Sequence, residues 1–266
     1  MDGHRSIAVV TGAGRGIGAA IARALAERGH HVLVTDVDAA AAERTAAALG
    51  TAGLAATAMP LDVRDGSAHR AVALAAAALG DVTVWVNNAG ILSTAPAWEE
   101  TEERTVATFE INTLGVVHGC RAAVGVMRRG DVLNVVSLSG LGPTPGFAAY
   151  GASKAAALSY TQALDVELTQ ARRPIRVRAL NPDVVDTDLL TGVADSPSAA
   201  LLYTARHLTV DDVVTAAMAM IGSRRQTRTL PGSRAALMRF TALAPGLARS
   251  MTPAVARFAE RRRQRR

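Results

Sequence analysis

From Ile7 to Leu25 the chain can do little but form a strand, a tight turn and a helix. The apolar, largely β-branched run Ile7 to Thr11 leads straight into Thr11-Gly12-Ala13-Gly14-Arg15-Gly16-Ile17-Gly18. A helix pattern follows, with Ile17, Ile21 and Leu25 on one face and alanines and Arg23 between them. Strand, glycine turn and helix in that order are the context a dinucleotide fingerprint requires. The glycines let the backbone bend sharply and approach a pyrophosphate, and the helix N-terminus offers free N–H groups to the anion. Glycine-rich turns are common, so the flanking strand and helix carry this reading.

The same alternation continues. Strands are expected at His31 to Thr35, Leu54 to Met59, Val82 to Val86, Asp131 to Val136, Ile175 to Leu180 and Thr227 to Leu230. Helical patterns separate them: Ala39 to Leu49, about Ser67 to Leu79, one long helix from Glu99 to Arg129, a helix carrying Tyr150, and Thr209 to Ile221. No repeat or linker interrupts them. Strands alternating with helices predict a parallel sheet covered on both faces. Ligands of such sheets bind beyond the carboxyl ends of the strands. The glycine turn after the first strand and Ser137 after the fifth should therefore share one crevice.

Asp36 ends the second strand, about 20 residues past the glycines, where an acid can hydrogen-bond the adenosine ribose. Its charge would repel a 2′-phosphate, which argues for NAD over NADP. Arg15 speaks for the alternative, NADP, because a guanidinium in the turn could meet that phosphate. The competing structural reading makes Asp36 the N-cap of the helix from Ala39.

Tyr150 and Lys154 stand four residues apart, ahead of an alanine-rich run. On a helix that spacing puts both side chains on one face. A phenol has an ordinary pKa of about 10, and a neighbouring ammonium lowers it by favouring the phenolate. The pair is a candidate acid/base unit. Composition sharpens it: of 29 basic residues 28 are arginine, so Lys154 is the chain's one lysine, and there are three tyrosines. Arginine's planar fork does not replace a compact ammonium. The competing reading is a tyrosine packed on a lysine stem.

At 266 residues the chain suits one α/β domain with a sizeable core. No apolar run is long enough to span a bilayer, and Met1 to Ser6 lacks the zones of a signal peptide. The one cysteine, Cys120, excludes an internal disulfide and reads as a packed thiol, so a cytoplasmic protein is expected. Net charge is +6, but residues 224–266 hold twelve arginines against Glu260 alone. The body is mildly acidic and the tail strongly basic.

Together these residues resemble the short-chain dehydrogenase/reductase family over roughly residues 5–232. The resemblance rests on Thr11 to Gly18, Asp62-Val63, Asn87-Asn88-Ala89-Gly90, Asn112, Ser137, Tyr150-x-x-x-Lys154 and Pro182-x-x-Val185-x-Thr187. It implies a single-domain Rossmann-type doubly wound fold, a seven-stranded parallel sheet with helices on both faces. It also implies nicotinamide-dependent interconversion of alcohol and carbonyl. Tyr150 would be the acid/base, Lys154 would lower its pKa and hold the nicotinamide ribose, and Ser137 would hold the substrate oxygen. Ser139, two residues off the family's position, is the competing serine. Asn112 would bind a relay water through its backbone. Gly12, Arg15, Gly16, Ile17 and Gly18 would form the diphosphate turn, with Asp36 on the ribose and Asp62 and Val63 on adenine. Asn88, Ala89 and Gly90 would flank the adenosine ribose and diphosphate. Pro182, Val185 and Thr187 would grip the carboxamide. No metal site is expected.

The resemblance further implies a homo-oligomer, a tetramer or dimer. The substrate expected is a small, largely apolar alcohol or ketone, under an aliphatic lid at about 188–208. Asp183 departs from the family's glycine; it is expected to act on polar or anionic substrate groups, or else to point into water. The second departure is a basic helical C-terminal extension, residues 233–266, with helical spacing in Arg234 to Leu243 and Thr252 to Arg262. It should pack on a neighbouring subunit with a frayed tip; peripheral contact with anionic membrane is the second reading, and nucleic acid is not expected. The rival functions are an NADPH-dependent carbonyl reductase, a non-catalytic nucleotide-binding scaffold, and an epimerase or dehydratase.

Overall fold

Apolar residues on both faces of the central strands oblige the chain to cover its sheet twice. The computed structural model describes residues 5–190, 202, 206–244, 246, 249 and 250. Among these, seven strands run parallel: β1 (Ser6–Thr11), β2 (His31–Asp36), β3 (Ala56–Pro60), β4 (Asp81–Asn87), β5 (Gly130–Val135), β6 (Ile175–Pro182) and β7 (Thr227–Leu230). Their spatial order is β3-β2-β1-β4-β5-β6-β7. The chain thus winds outward from β1 in one direction and then from β4 in the other. The reversal lies between β1 and β4, where a crevice must open at the carboxyl ends of the strands. The α/β fold expected from the sequence is the one found.

Helices α1 (Gly16–Glu27), α2 (Ala39–Thr51) and α7 (Val210–Met220) cover one face, with Ile21, Leu25, Ala42, Val213 and Met220 packed on Ala8, Val10, Val34, Val86 and Leu133. On the other face lie α3 (Gly66–Leu79), α5 (Gly115–Val126) and α6 (Ala148–Gln170), with Val72, Val116, Ala157 and Leu168 on Ile7, Val9, Leu33, Trp85 and Val132. Pairing with β1 shifts register between Ile7 and Ala8, so Thr83 is the extra residue of β4. That bulge puts Val82 and Val84 on opposite faces despite their even spacing.

A chain of donors crosses the second layer. Trp85 Nε1 donates to Asn87 Oδ1 (2.9 Å), Asn87 Nδ2 to Asn134 Oδ1 (2.8 Å), Asn134 Nδ2 to Thr161 Oγ1 (2.8 Å), and Thr161 Oγ1 to the Ala157 carbonyl (2.6 Å). A Cβ on Gly119 would stand 1.9 Å from Asn87 Oδ1, so α5 reaches β4 this closely only through glycine. Cys120 lies beside this chain, and burial pushes its thiol up to about 12. It is packed and inert, as its neighbours in sequence suggest. At the opposite end of the sheet, buried Arg178 pairs with buried Asp131 at 2.6 Å. It also donates to the Arg225 and Ser223 carbonyls, tying β5 and β6 to the turn before β7.

The expected long helix from Glu99 is shorter and interrupted. It starts as α4 (Glu102–Phe109), because the Thr101 side chain accepts the Arg104 N–H. A π turn then spans Glu110–Leu114, with the Gly115 N–H bonded to the Glu110 carbonyl, before α5 begins. Asn112 sits inside that turn. In α7, Thr209 and Asp212 form a reciprocal capping box. The Arg234-to-Leu243 pattern is helix α8 (Gly232–Leu243). The second helix, expected at Thr252 to Arg262, lies outside the described residues. So does most of the expected lid: Asp188–Leu190 form a short helical turn and Leu202 is buried, while 191–201 and 203–205 are not described.

His69 on α3 is wholly buried, 6.3 Å from Trp85 and 6.1 Å from His118 between ring centroids. Its Nε2 donates to the Val63 carbonyl, and Nδ1 meets no polar group among the described residues. Burial pushes its pKa down to about 4. The unfolded chain takes up this proton near pH 6.5 and the folded chain only near 4, so stability falls as pH drops through that window. The loss should be about 3 kcal/mol. Urea titrations of His69→Leu and the native chain at pH 7 and pH 4 check it: the variant should lose less on acidification by about that amount.

Candidate functional site

The strand order lays out the site. Reading across the carboxyl ends from β3 to β6, the segments after each strand are Leu61 to Arg64, Asp36 with Val37, the glycine turn, Asn88 to Gly90, Ser137, and Pro182 to Thr187. They line one cleft of about 520 Å³. Gly12, Arg15, Gly16, Ile17, Gly18, Asp36, Asp62, Val63, Asn88, Ala89, Gly90, Ser137, Tyr150, Lys154, Pro182, Val185 and Thr187 all reach its wall. Asn112, to which the resemblance gives a catalytic part, does not reach the wall and is wholly buried.

The glycine turn is held open by contacts that permit no other residue. Gly12 has φ +61°, and a Cβ there would stand 2.7 Å from the Ala89 Cα. A Cβ on Gly18 would stand 2.1 Å from the Gly12 carbonyl oxygen. The turn is stapled to β4: Asn88 Nδ2 donates to the Thr11 and Gly12 carbonyls, and Thr11 Oγ1 accepts the Asn88 and Ala89 N–H groups. The result is a backbone cradle at the N-terminus of α1, where Arg15 is the N-cap residue. An anionic diphosphate fits such a cradle.

Asp36 Oδ2 accepts the Gly14 N–H at 2.9 Å, and Oδ1 accepts the Asp38 N–H at 3.1 Å. It is not the N-cap of α2; that residue is Asp38, which accepts the Ala41 N–H at 3.0 Å. Asp36 thus stands at the cleft wall with its charge aimed across the turn. At the far end Asp62 is clasped by Arg64 at 2.6 Å, which holds its carboxyl below the usual range.

At the other end lie Ser137, Tyr150 and Lys154. Ser137 caps a short helical turn, Leu138–Leu141, and accepts the Ser139 N–H. Tyr150 and Lys154 both project from α6. Lys154 is 4% exposed, its Nζ 5.9 Å from the centre of the Tyr150 ring, and it donates to the Val135 carbonyl at 3.2 Å. Burial pushes the Lys154 ammonium down to about 8. Burial also raises Tyr150, and the Ser137 hydroxyl beside it pulls the other way. The expected lowering of the phenol is not found: burial sets the direction.

The side chain of Asn112 bridges two segments. Its Oδ1 accepts the Ile91 N–H, and its Nδ2 donates to the Ile91 carbonyl and to Ser153 Oγ. Ser153 in turn donates to the Tyr150 carbonyl. The π turn, the loop after β4 and α6 are thereby locked together. Ser153 and Arg64 are site residues that the sequence reading does not name. Ser153 had a weak signal, a hydroxyl three residues beyond the tyrosine, where it can bond back along the helix. Asp183 does not point into water: it is buried, and Arg234 of α8 donates to it.

The sequence profile of short chain dehydrogenases matches residues 6–197. Galactitol 2-dehydrogenase of Agrobacterium fabrum is 38% identical over 188 residues, 69% of this chain and 72% of that protein. Among solved structures, a short chain dehydrogenase/reductase from Burkholderia phymatum in complex with NAD superposes with a TM-score of 0.84 at 28% identity, covering 93% and 96% of the two chains. A gluconate 5-dehydrogenase from Burkholderia cenocepacia, in complex with NADP and tartrate, gives 0.78 at 27% identity, covering 89% and 96%.

Lys154 also has an alkaline signature. Its folded pKa, about 8, lies below its ordinary 10.5, so between these values the unfolded chain binds more protons and stability rises with pH. Measured by denaturant unfolding, the native chain should gain about 3 kcal/mol relative to Lys154→Met between pH 8 and 10.5.

Proposed function

Because this chain belongs to the short-chain dehydrogenase family, we propose that it interconverts a secondary alcohol and a ketone on a largely apolar small molecule, with NAD(H) and Tyr150 as acid/base. One observation carries the reading: Ser137, Tyr150 and Lys154 share one cleft with the glycine cradle. Nicotinamide, when bound, supplies or accepts the hydride. The chain's own residues handle the proton and the orientation.

In reduction the Tyr150 phenol gives its proton to the substrate carbonyl oxygen, and in oxidation the phenolate takes the proton from the hydroxyl. Ser137, beside the phenol, holds the same oxygen by a hydrogen bond. The Lys154 ammonium over the ring stabilises the phenolate by charge, and its own burial limits screening by solvent. Gly12 to Gly18 hold the diphosphate, Asp36 the adenosine ribose, Asp62 and Val63 the adenine, and Val185 and Thr187 the carboxamide. Asn112 positions Tyr150 through Ser153.

The apolar substrate reading is supported by Leu92, Phe147 and Leu202, buried together with Val184, Leu190 and Tyr150 against them. The extension is read as packing on a second copy of the chain, since Leu237, Phe240 and Leu243 of α8 are 50%, 52% and 86% exposed.

Tyr150→Phe should bind NADH as the native chain does while losing about 10²–10⁴-fold in kcat on secondary alcohols. Calorimetry and absorbance of reduced nicotinamide read the two halves, and retained turnover would overturn the assignment. For the cofactor, kcat/KM should favour NAD over NADP, and Asp36→Ala should shift that ratio towards NADP by about 100-fold, about 3 kcal/mol. A native preference for NADP would overturn the role of Asp36 and hand it to Arg15.

A further inference from the structure

Where β6 meets the cleft, the chain places an aspartate instead of the family's glycine, and that aspartate has a specific partner. Asp183 lines the cleft between Pro182 and Val184, with its side chain 8% exposed. Arg234, in the first turn of α8, donates from Nη1 to Asp183 Oδ2 at 2.5 Å. Arg234 itself stands outside the cleft wall. Burial pushes the Asp183 carboxyl up, and Arg234 is the largest influence pulling it back, with His207 a lesser one. The guanidinium is therefore what makes a carboxylate tolerable at this place.

The helix that carries Arg234 braces the cleft at a second point. Gly142 ends the turn that Ser137 begins, and a Cβ on it would stand 2.7 Å from the Met238 carbonyl oxygen of α8. The backbone adds a third tie, the Asp183 N–H donating to the Leu230 carbonyl at 2.8 Å, two residues before α8 starts. So α8 backs both the Ser137 turn and the segment from Pro182 to Thr187. Only one of these contacts uses a charged side chain, and it falls two residues from Val185.

We propose that Arg234 is a positioning residue: by pairing with Asp183 it sets the Pro182-to-Thr187 segment in the conformation that receives the nicotinamide half of the cofactor. It touches neither cofactor nor substrate. The proposal rests on the reading of Val185 and Thr187 given above. It predicts an effect confined to one half of the dinucleotide, because the adenosine half is held by elements far along the sheet, at Asp36 and Asp62.

The test is binding to the full chain, by calorimetry, of NADH and of ADP-ribose, which keeps the adenosine and diphosphate and lacks nicotinamide. The proteins are the native chain, Arg234→Gln, Arg234→Lys, Asp183→Asn and the double variant Asp183→Asn/Arg234→Gln. Arg234→Gln should bind NADH at least tenfold more weakly and ADP-ribose within twofold of the native chain. Arg234→Lys should recover part of the loss. The double variant should recover most of it, since a neutral amide no longer needs the guanidinium, and it guards against simple misfolding of the single variant. The proposal is overturned if Arg234→Gln binds NADH within threefold of the native chain, if both ligands weaken equally, or if the double variant recovers nothing. A native chain with no affinity for either ligand would remove the cofactor reading and this proposal together, a result plainly different from a normal native chain with a silent variant.

Discussion

A single ammonium is buried at the carboxyl edge of the sheet, and the site is arranged around keeping it there. Lys154 donates to the Val135 carbonyl, the last residue of β5, and lies over the Tyr150 ring. Desolvating a charge is costly, and its lowered pKa records that cost. The fold accepts it because α6 must bring phenol and ammonium to the mouth of a crevice that the sheet topology creates. Were Lys154 solvated, the field it lays across the ring would be screened to little. Burial of this charge works against stability, and on the proposed mechanism it is the setting the acid/base pair needs.

Much of this arrangement was legible in the sequence. The order of strands and helices followed from apolar runs and their periods, and the parallel sheet followed from the alternation. The residues at strand ends, from the glycine turn to Thr187, could be placed in one cleft because a parallel sheet gathers its carboxyl ends on one side. What could not be read was which way side chains point once they arrive. The side chain of Asn112 ties the π turn to the loop after β4 and to α6, a set of contacts that its position in the sequence does not reveal. Asp36 and Asp38 are both plausible caps two residues apart, and only the fold separates them. The phenol's pKa could not be read either, because spacing reports the ammonium and not the burial.

Long-range pairs were the least visible. Arg178 with Asp131 and Arg234 with Asp183 join residues about fifty positions apart, in a chain where arginine is so common that no single one stands out. The bulge at Thr83 was hidden for a similar reason: it changes which face a valine occupies without changing the composition of the strand.

The donor chain from Trp85 through Asn87 and Asn134 to Thr161 has a consequence for descent. Each member is satisfied by the next, and Gly119 leaves no room for a larger neighbour. A lone exchange at any link strands a polar group in a dry interior. Viable lineages must therefore alter this set as a block or inherit it intact, so it should drift far more slowly than the equally buried aliphatic residues around it, which can trade volume among themselves one at a time.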